Sequence, residues 1–460
     1  MSSTAFSSLN LYPEILKNLD SLGYKEMTPI QAQSLPDIIL GKDVIAQAKT
    51  GSGKTAAFGL GLLQKLNVKH FRVQSLVLCP TRELADQVAK ELRRLARAID
   101  NVKVLTLYGG TPFGPQIGSL EHGAHIVVGT PGRVEEHLRK GSLKLDDLNT
   151  LVLDEADRML DMGFQQALDD IIEHTPDERQ TLLFSATYPE QIQSIAERVM
   201  TEPVLVQVAA THDNVSIQQY FYQVGDDIDR ITALRLLLLQ FRADSTLVFC
   251  NTKRETEEIA DELYNKGFSV EALHGDLDQK DRNQTLVRFA NKSTSVLIAT
   301  DVAARGLDID ALDVIINYQI AHDLEVHVHR IGRTGRAGNK GIACTLFNKK
   351  EQYKVSLLED FMGQKVETET LPALSSLQQP TYKPPMVTLQ IDGGKKQKLR
   401  AGDILGALTG DNGIEGKQVG KIHLYDNRAY VAVSRSATQT ALKKIGTGKM
   451  KGRSFRVRQI

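Results

Sequence analysis

What most constrains this chain is a set of short apolar runs that do not alternate: Ser75–Cys79, His125–Gly129, Thr150–Leu153 and Gln180–Phe184, then Ser245–Cys250, Val270–Leu273, Ser295–Ala299, Asp313–Asn317 and Gly341–Phe347. A strand with one wet face is polar at every second residue, whereas a strand covered on both faces is not. Interleaved with amphipathic helical stretches, such runs predict parallel sheets with helices on both sides. They fall into two sets, so the fold class is α/β with two parallel-sheet domains in tandem, and ligands are expected at the carboxyl ends of the strands. At 460 residues there is room for roughly three domains. The first is placed over residues 1–210 and the second over 211–370, with the division near 208–215. The proline-rich segment 371–385 reads as a linker, and 386–460 as a small third domain.

The chemistry starts after the apolar stretch Asp43–Ala46, where Ala48-Lys49-Thr50-Gly51-Ser52-Gly53-Lys54-Thr55 opens a helix. Glycines let backbone amides turn inward around phosphate oxygens at a helix N-terminus, Lys54 neutralises the outer phosphates, and the Thr55 hydroxyl is suited to ligate Mg²⁺. Ala48 stands where the general phosphate-loop pattern has its first glycine. Phosphoryl transfer to water also needs a held metal and a group that positions the water. Asp154 and Glu155 close the run Thr150–Leu153. There Asp154 would hold Mg²⁺, partly through water, and Glu155 would orient or deprotonate the nucleophile.

Further motifs follow in order: Gly23-Tyr24 with Thr28-Pro29-Ile30-Gln31, Pro80-Thr81-Arg82-Glu83-Leu84-Ala85, Gly109-Gly110, Thr130-Pro131-Gly132-Arg133, Asp154-Glu155-Ala156-Asp157, Ser185-Ala186-Thr187, His274-Gly275-Asp276 with Gln279 and Arg282, Ala299-Thr300-Asp301, Arg305-Gly306-Leu307-Asp308, and His329 through Arg336. In order and spacing they resemble the DEAD-box RNA helicases over nearly the whole chain. The resemblance implies two tandem RecA-like domains that use ATP and Mg²⁺. It implies that Gln31 reads the adenine edge, that Tyr24 packs on the base with Phe6 in support, and that Asp308 contacts the ribose. Arg333 and Arg336 would be arginine fingers on the γ-phosphate, joining Lys54, Asp154 and Glu155 as the catalytic set. Asp157, Ser185, Thr187 and His329 would couple the nucleotide to strand separation. Pro80, Thr81, Arg82, Gly110, Thr130 and Arg133, with Gly275, Gln279, Arg282, Thr300 and Asp301, would grip an RNA backbone, a contact blind to sequence.

The net charge of zero conceals an asymmetry, because residues 386–460 hold 15 Lys and Arg against 5 Asp and Glu. That balance points to a polyanion as partner. The element order predicted there, βαββαβ, is that of an RRM, so the third domain is expected to be α+β and RRM-like. Its stacking platform is nearly absent, since Arg428 stands where an aromatic is expected beside Tyr430-Val431. The cations lie elsewhere, at Lys395, Lys396, Lys398 and Arg400 and again at Lys449, Lys451, Arg453, Arg456 and Arg458, which suits a structured RNA. Gly393-Gly394-Lys395-Lys396 and Gly402 through Gly410 resemble a bacterial branch of the DEAD-box family. In that branch the tail recognises a 23S rRNA hairpin in large-subunit assembly. Met1–Asn10 lacks a secretory pattern, no apolar run approaches a membrane span, and Cys79, Cys250 and Cys344 are too scattered for disulfides or zinc. The expectation is a cytoplasmic monomer that needs no membrane or protein partner. An ATP-gated RNA clamp and a DNA-acting helicase stay open as alternatives.

Overall fold

The non-alternating runs become strands whose successive side chains feed two apolar layers, one on each face of a sheet. A computed structural model describes residues 4–48, 51–208, 217–225, 228–304, 312–335 and 341–460. They divide into two units, one up to residue 208 and one from residue 217 onward.

The first unit holds a seven-stranded parallel sheet of β1 (Val44–Gln47), β2 (Ser75–Leu78), β3 (Val104–Leu107), β4 (Ile126–Gly129), β5 (Thr150–Asp154), β6 (Gln180–Ser185) and β7 (Val204–Gln207), in the order β3-β4-β2-β5-β6-β1-β7. Val77, Val128, Val152, Leu182 and Phe184 face one apolar layer, while Leu76, Leu78, Val127, Leu151, Leu153 and Leu183 face the other. This is the physical reason no polar residue interrupts the runs.

The second unit repeats that plan. β8 (Ile217–Val224), β9 (Thr246–Cys250), β10 (Val270–Leu273), β11 (Val296–Thr300), β12 (Val314–Asn317), β13 (Gly341–Asn348) and β14 (Thr368–Glu369) run in the order β10-β11-β9-β12-β13-β8-β14. Strand for strand this is the first order with seven added. β5, at the centre of its sheet, therefore corresponds to β12.

The same unit carries a four-stranded antiparallel sheet, β15 (Met386–Ile391), β16 (Val419–Leu424), β17 (Ala429–Ser434) and β18 (Val457–Gln459), ordered β16-β17-β15-β18. Helices Ala401–Thr409 and Thr438–Thr447 cover its apolar face through Val387, Leu389, Ile391, Val431, Ile404 and Ile445. The opposite face is also buried. Thr388 accepts from Asn291 Nδ2 at 3.0 Å and lies 2.7 Å from the Ser293 hydroxyl, and His423 lies 3.1 Å from Asn291 Oδ1. The antiparallel sheet thus docks face-on against the turn after helix Gln279–Ala290 of the preceding domain.

The proline-rich segment expected to be a linker runs along that domain. Leu371 and Leu377 pack on its core, Arg242 donates to the Pro380 carbonyl at 3.0 Å, Thr381 donates to the Gly267 carbonyl at 2.8 Å, and Tyr382 donates to Asp244. Apart from the short 3-10 helix Leu374–Gln378, proline denies this stretch regular structure, yet its carbonyls and side chains still bind the surface they cross.

Candidate active site and RNA surfaces

After β1 the chain turns through Gly51 and Gly53, both with positive φ (84° and 95°), into helix Lys54–Lys65. Gly53 is required twice over: a Cβ there would also lie 2.5 Å from Gln31 Nε2. Lys54, 6% exposed, donates to the Ala48 carbonyl at 2.9 Å, so the lysine is folded across the loop. Gln31 is buried with both ends engaged, Oε1 accepting from Thr28 N at 2.9 Å and Nε2 donating to the Gly53 carbonyl at 3.0 Å. The glutamine expected at the adenine edge thus joins a helix cap to the phosphate loop. Phe6 and Tyr24 meet edge-to-face at 6.0 Å, Phe6 buried and Tyr24 donating to Glu91. Burial, with Glu91 beside it, pushes the Tyr24 phenol up to about 12. Lys49 and Thr50 lie outside the described residues.

Asp154 ends β5 at 3% exposure, and among the described residues its Oδ1 has no hydrogen-bond partner. Burial pushes its carboxyl up to about 7, with Lys54 opposing and Glu155 reinforcing the shift. Glu155 occupies the left-handed region at φ 53°, uncommon for a side chain of its size, and its Oε2 lies 3.4 Å from Arg158 Nε in a buried pair. Sequence reasoning missed Arg158, which stands one residue past the recognised quartet. Ser52 Oγ, in the loop, is a second buried oxygen without a hydrogen-bond partner. Asp157 Oδ2 accepts from both Thr187 N and Thr187 Oγ1 at 3.1 Å, while Asp157 N donates to Ser185 Oγ at 3.4 Å. The structure therefore gathers three of the four residues expected to couple. The fourth, His329, lies in helix Leu324–Ile331 of the other unit.

Along the carboxyl edge of the first sheet, Pro80 and Thr81 are buried, and Thr81 caps helix Arg82–Leu95 by accepting from Leu84 N at 3.3 Å. Arg82 lies over the turn at Gly110, where a Cβ would fall 1.8 Å from its guanidinium. Thr130 is buried beside Arg133. Arg133 donates to Gln116 at 2.8 Å and pairs with Glu136 at 3.1 Å, so much of its charge is already placed within the fold.

In the second unit Gly275 precedes helix Gln279–Ala290, where Gln279 donates to Asn283 and Arg282 to the Ala303 carbonyl, each at 2.9 Å. Thr300 Oγ1 accepts from Ala303 N at 3.4 Å. Asp301 is held by two nitrogens of Arg330, both at 2.7 Å. Arg330, 2% exposed, also donates to Asn251 and to the Gln319 carbonyl, both at 2.8 Å. Arg330 went unrecognised in the sequence because it stands among the Arg333 and Arg336 of the same motif. Arg333 is described, with its carbonyl accepting from Leu312 N at 3.3 Å, whereas Arg336 and Asp308 lie outside the described residues.

Three family models match in succession: DEAD/DEAH box helicase over residues 28–195, helicase conserved C-terminal domain over 229–338, and DbpA RNA binding domain over 388–459. Among curated proteins, the ATP-dependent RNA helicase DbpA of Escherichia coli K12 is 54% identical over 99% of this chain and 100% of its own length. This chain belongs to the DEAD-box helicase family. The DEAD-box helicase CshA of Geobacillus kaustophilus is 46% identical over 81% of this chain and 79% of its own. Among solved structures, S. cerevisiae Dbp5 bound to RNA and ADP BeF3 matches with a TM-score of 0.71 at 29% identity, over 80% of this chain and 96% of that one. Mss116p bound to ssRNA and AMP-PNP matches with 0.71 at 26%, over 82% and 83%. The protein is an ATP-dependent RNA helicase with a C-terminal RNA-binding domain.

For this DEAD-box protein the buried sheet face decides where the tail can meet RNA. Thr388 and Gln390 are fully buried and Tyr430 is 3% exposed, packed edge-to-face on Tyr425 at 5.7 Å. Lys395, Lys396, Lys398 and Arg400 are exposed on the rim before helix Ala401–Thr409. Lys449, Lys451, Arg453, Arg456 and Arg458 are exposed as well, and Lys451 reaches Asp403 of that helix at 3.5 Å. The three cysteines are buried free thiols. Among the described residues no helix is long and apolar enough to cross a membrane.

Proposed function

We propose that this helicase unwinds RNA locally and is directed by its tail to a hairpin of 23S rRNA during assembly of the large ribosomal subunit. One observation carries the address: the tail's sheet face is closed by the domain it docks on, while its cations stand exposed on the helix rim. A surface of that kind suits a folded RNA held by phosphates and loop bases better than a strand laid across aromatics. Lys395, Lys396, Lys398 and Arg400 are assigned to this contact. The resemblance to the DbpA RNA binding domain supports the same reading.

Lys54, Asp154 and Glu155 of the first domain are assigned to hydrolysis, and Arg333 and Arg336 of the second to stabilising charge on the transferred phosphoryl group. Thr55 and Asp154 would hold Mg²⁺. The unpartnered Asp154 Oδ1 and Ser52 Oγ fit a cation and a phosphate that complete them, and a single carboxylate is what Mg²⁺ uses when phosphates supply other ligands. Bound there, the ion would neutralise charge on the β- and γ-phosphates.

ATP turnover by the full chain without RNA, with bulk RNA and with a 23S fragment containing the hairpin tests the address. The fragment is expected to stimulate best, and a Lys395→Glu, Lys396→Glu, Lys398→Glu, Arg400→Glu variant is expected to lose that preference while keeping stimulation by bulk RNA. Equal stimulation by fragment and bulk RNA would refute it, and equal stimulation by matched DNA would refute the choice of RNA.

A further inference from the structure

Where the tail docks, the seam between the two folds is not closed. A cavity of about 240 Å³ opens there, lined by Tyr264 and Arg288 of the second α/β domain, Lys383 of the connecting segment, and Arg435 and Gln459 of the tail. Its volume exceeds a single water's share of liquid, about 30 Å³, many times over, so it has room for a phosphodiester group. Three lining side chains are cations and no lining side chain is acidic, the negative group on the wall being the α-carboxylate of Ile460. Phe268, Pro384 and Val387 give it an apolar floor.

The cations are only partly used by the protein. Arg288 pairs with Glu271 through one terminal nitrogen, and its buried Nε has no hydrogen-bond partner. Arg435 donates through Nε to the Pro384 carbonyl at 2.9 Å, and Lys383 donates to the Gly267 carbonyl at 2.9 Å. Both side chains are anchored at one point and remain exposed. At the mouth, Tyr264 is 71% exposed, so its ring is open to a stacking partner. A stacking ring beside fixed cations over an apolar floor is the chemistry that holds single-stranded nucleic acid, with phosphate on the cations and base on the ring. Two of the lining side chains, Arg435 and Gln459, belong to the tail itself.

We propose that this seam is a further RNA site, which takes a single-stranded nucleotide flanking the RNA held by the tail, its phosphate on Lys383 and Arg435 and its base on Tyr264. The inference rests on the reading that the tail binds an RNA hairpin. It gives the connecting segment a purpose: a strap that carries one of the cations and fixes it against the other two.

The test uses the full chain and two probes, the 23S hairpin alone and the same hairpin with a single-stranded extension of about ten uridines, within the usual site size of single-strand folds. Fluorescence anisotropy should show the extension tightening binding by about five- to tenfold, the worth of a base stack with its phosphate. In Lys383→Glu/Arg435→Glu, and separately in Tyr264→Ala, that gain should vanish while affinity for the bare hairpin and melting temperature stay as in the parent. The double variant should also flatten the log–log salt dependence for the extended probe by about 0.7, the contribution of one phosphate on a single strand. An extension gain that persists in both variants overturns the proposal, as does an equal loss on both probes, which would mark an acidic-ligand or purely structural seam. If the parent chain does not bind the bare hairpin, the proposed function fails first and the seam site with it.

Discussion

The two α/β domains share one strand order but not one chemistry at its centre. β5 ends in Asp154, a buried carboxyl with an unpartnered oxygen that burial pushes up to about 7. The corresponding strand β12 ends in Asn317, neutral, fully buried, donating to Thr345 at 3.1 Å and reached by Arg330 at 3.5 Å. In the second domain the carboxylate is Asp301, after β11, and Arg330 holds it with two nitrogens. The first domain thus keeps a buried carboxyl that Lys54 offsets only in part, and the second supplies a bidentate partner. The same scaffold can host a cation-dependent reaction or a self-sufficient ion pair, depending on which strand end carries a carboxylate and whether an arginine stands opposite.

Glu155→Gln should break the first half of the comparison most severely, lowering ATP turnover by at least about a hundredfold while nucleotide binding persists, as checked by a steady-state assay beside fluorescent-nucleotide titration. Unchanged turnover would remove Glu155 from the reaction. Next in size, Arg330→Ala takes the partner from the partly exposed Asp301 and the donor from Asn251 and the Gln319 carbonyl, and is expected to cost about 2 to 3 kcal/mol, read as an earlier unfolding transition of the second domain. Because the pair is bidentate, Arg330→Lys should recover only part of it. A loss below about 1 kcal/mol would mean that Asp301 is satisfied by other groups. Thr187→Val removes one of the two donors on Asp157 Oδ2 and should cost roughly 1 to 2 kcal/mol locally. Its signature is a fall in duplex unwinding larger than the fall in ATP turnover. Smallest, Thr388→Val takes the acceptor from Asn291 and should loosen the tail's docking by about 1 kcal/mol, seen as faster hydrogen exchange in β15.

Much of this was legible beforehand. The double set of buried runs gave both parallel sheets, Gly51 to Thr55 gave the turn into the helix, and Asp157, Ser185 and Thr187 came together as their motifs implied. β3, β7, β8 and β14 were not anticipated, because partly exposed strands such as β7 and the fully exposed β14 carry too few buried positions to stand out from their surroundings. Arg158 and Arg330 were overlooked because a buried arginine reads in sequence like any surface cation until its carboxylate is placed beside it. The docked face of the tail was hidden for a related reason. Thr388 and Gln390 alternate with Val387, Leu389 and Ile391 as on any strand with one wet face, and only the neighbouring domain makes them interior. The missing stacking aromatics were visible, but their reason, a face already occupied, was not.

Asp154 is a buried carboxyl whose Oδ1 has no partner among the described residues and whose charge Lys54 offsets only in part. A carboxyl raised from 3.8 to about 7 favours the folded state while protonated, so its contribution is complete below pH ~4 and is lost as the pH rises through about 7. Thermal melts of the nucleotide-free protein in Mg²⁺-free buffer, parent against Asp154→Asn, measure this directly. The account predicts a variant more stable than the parent at pH 8, by up to about 4 kcal/mol as an upper limit, with an advantage that shrinks steadily toward pH 5. A variant that is less stable at pH 8, or whose difference from the parent does not change with pH, would contradict it.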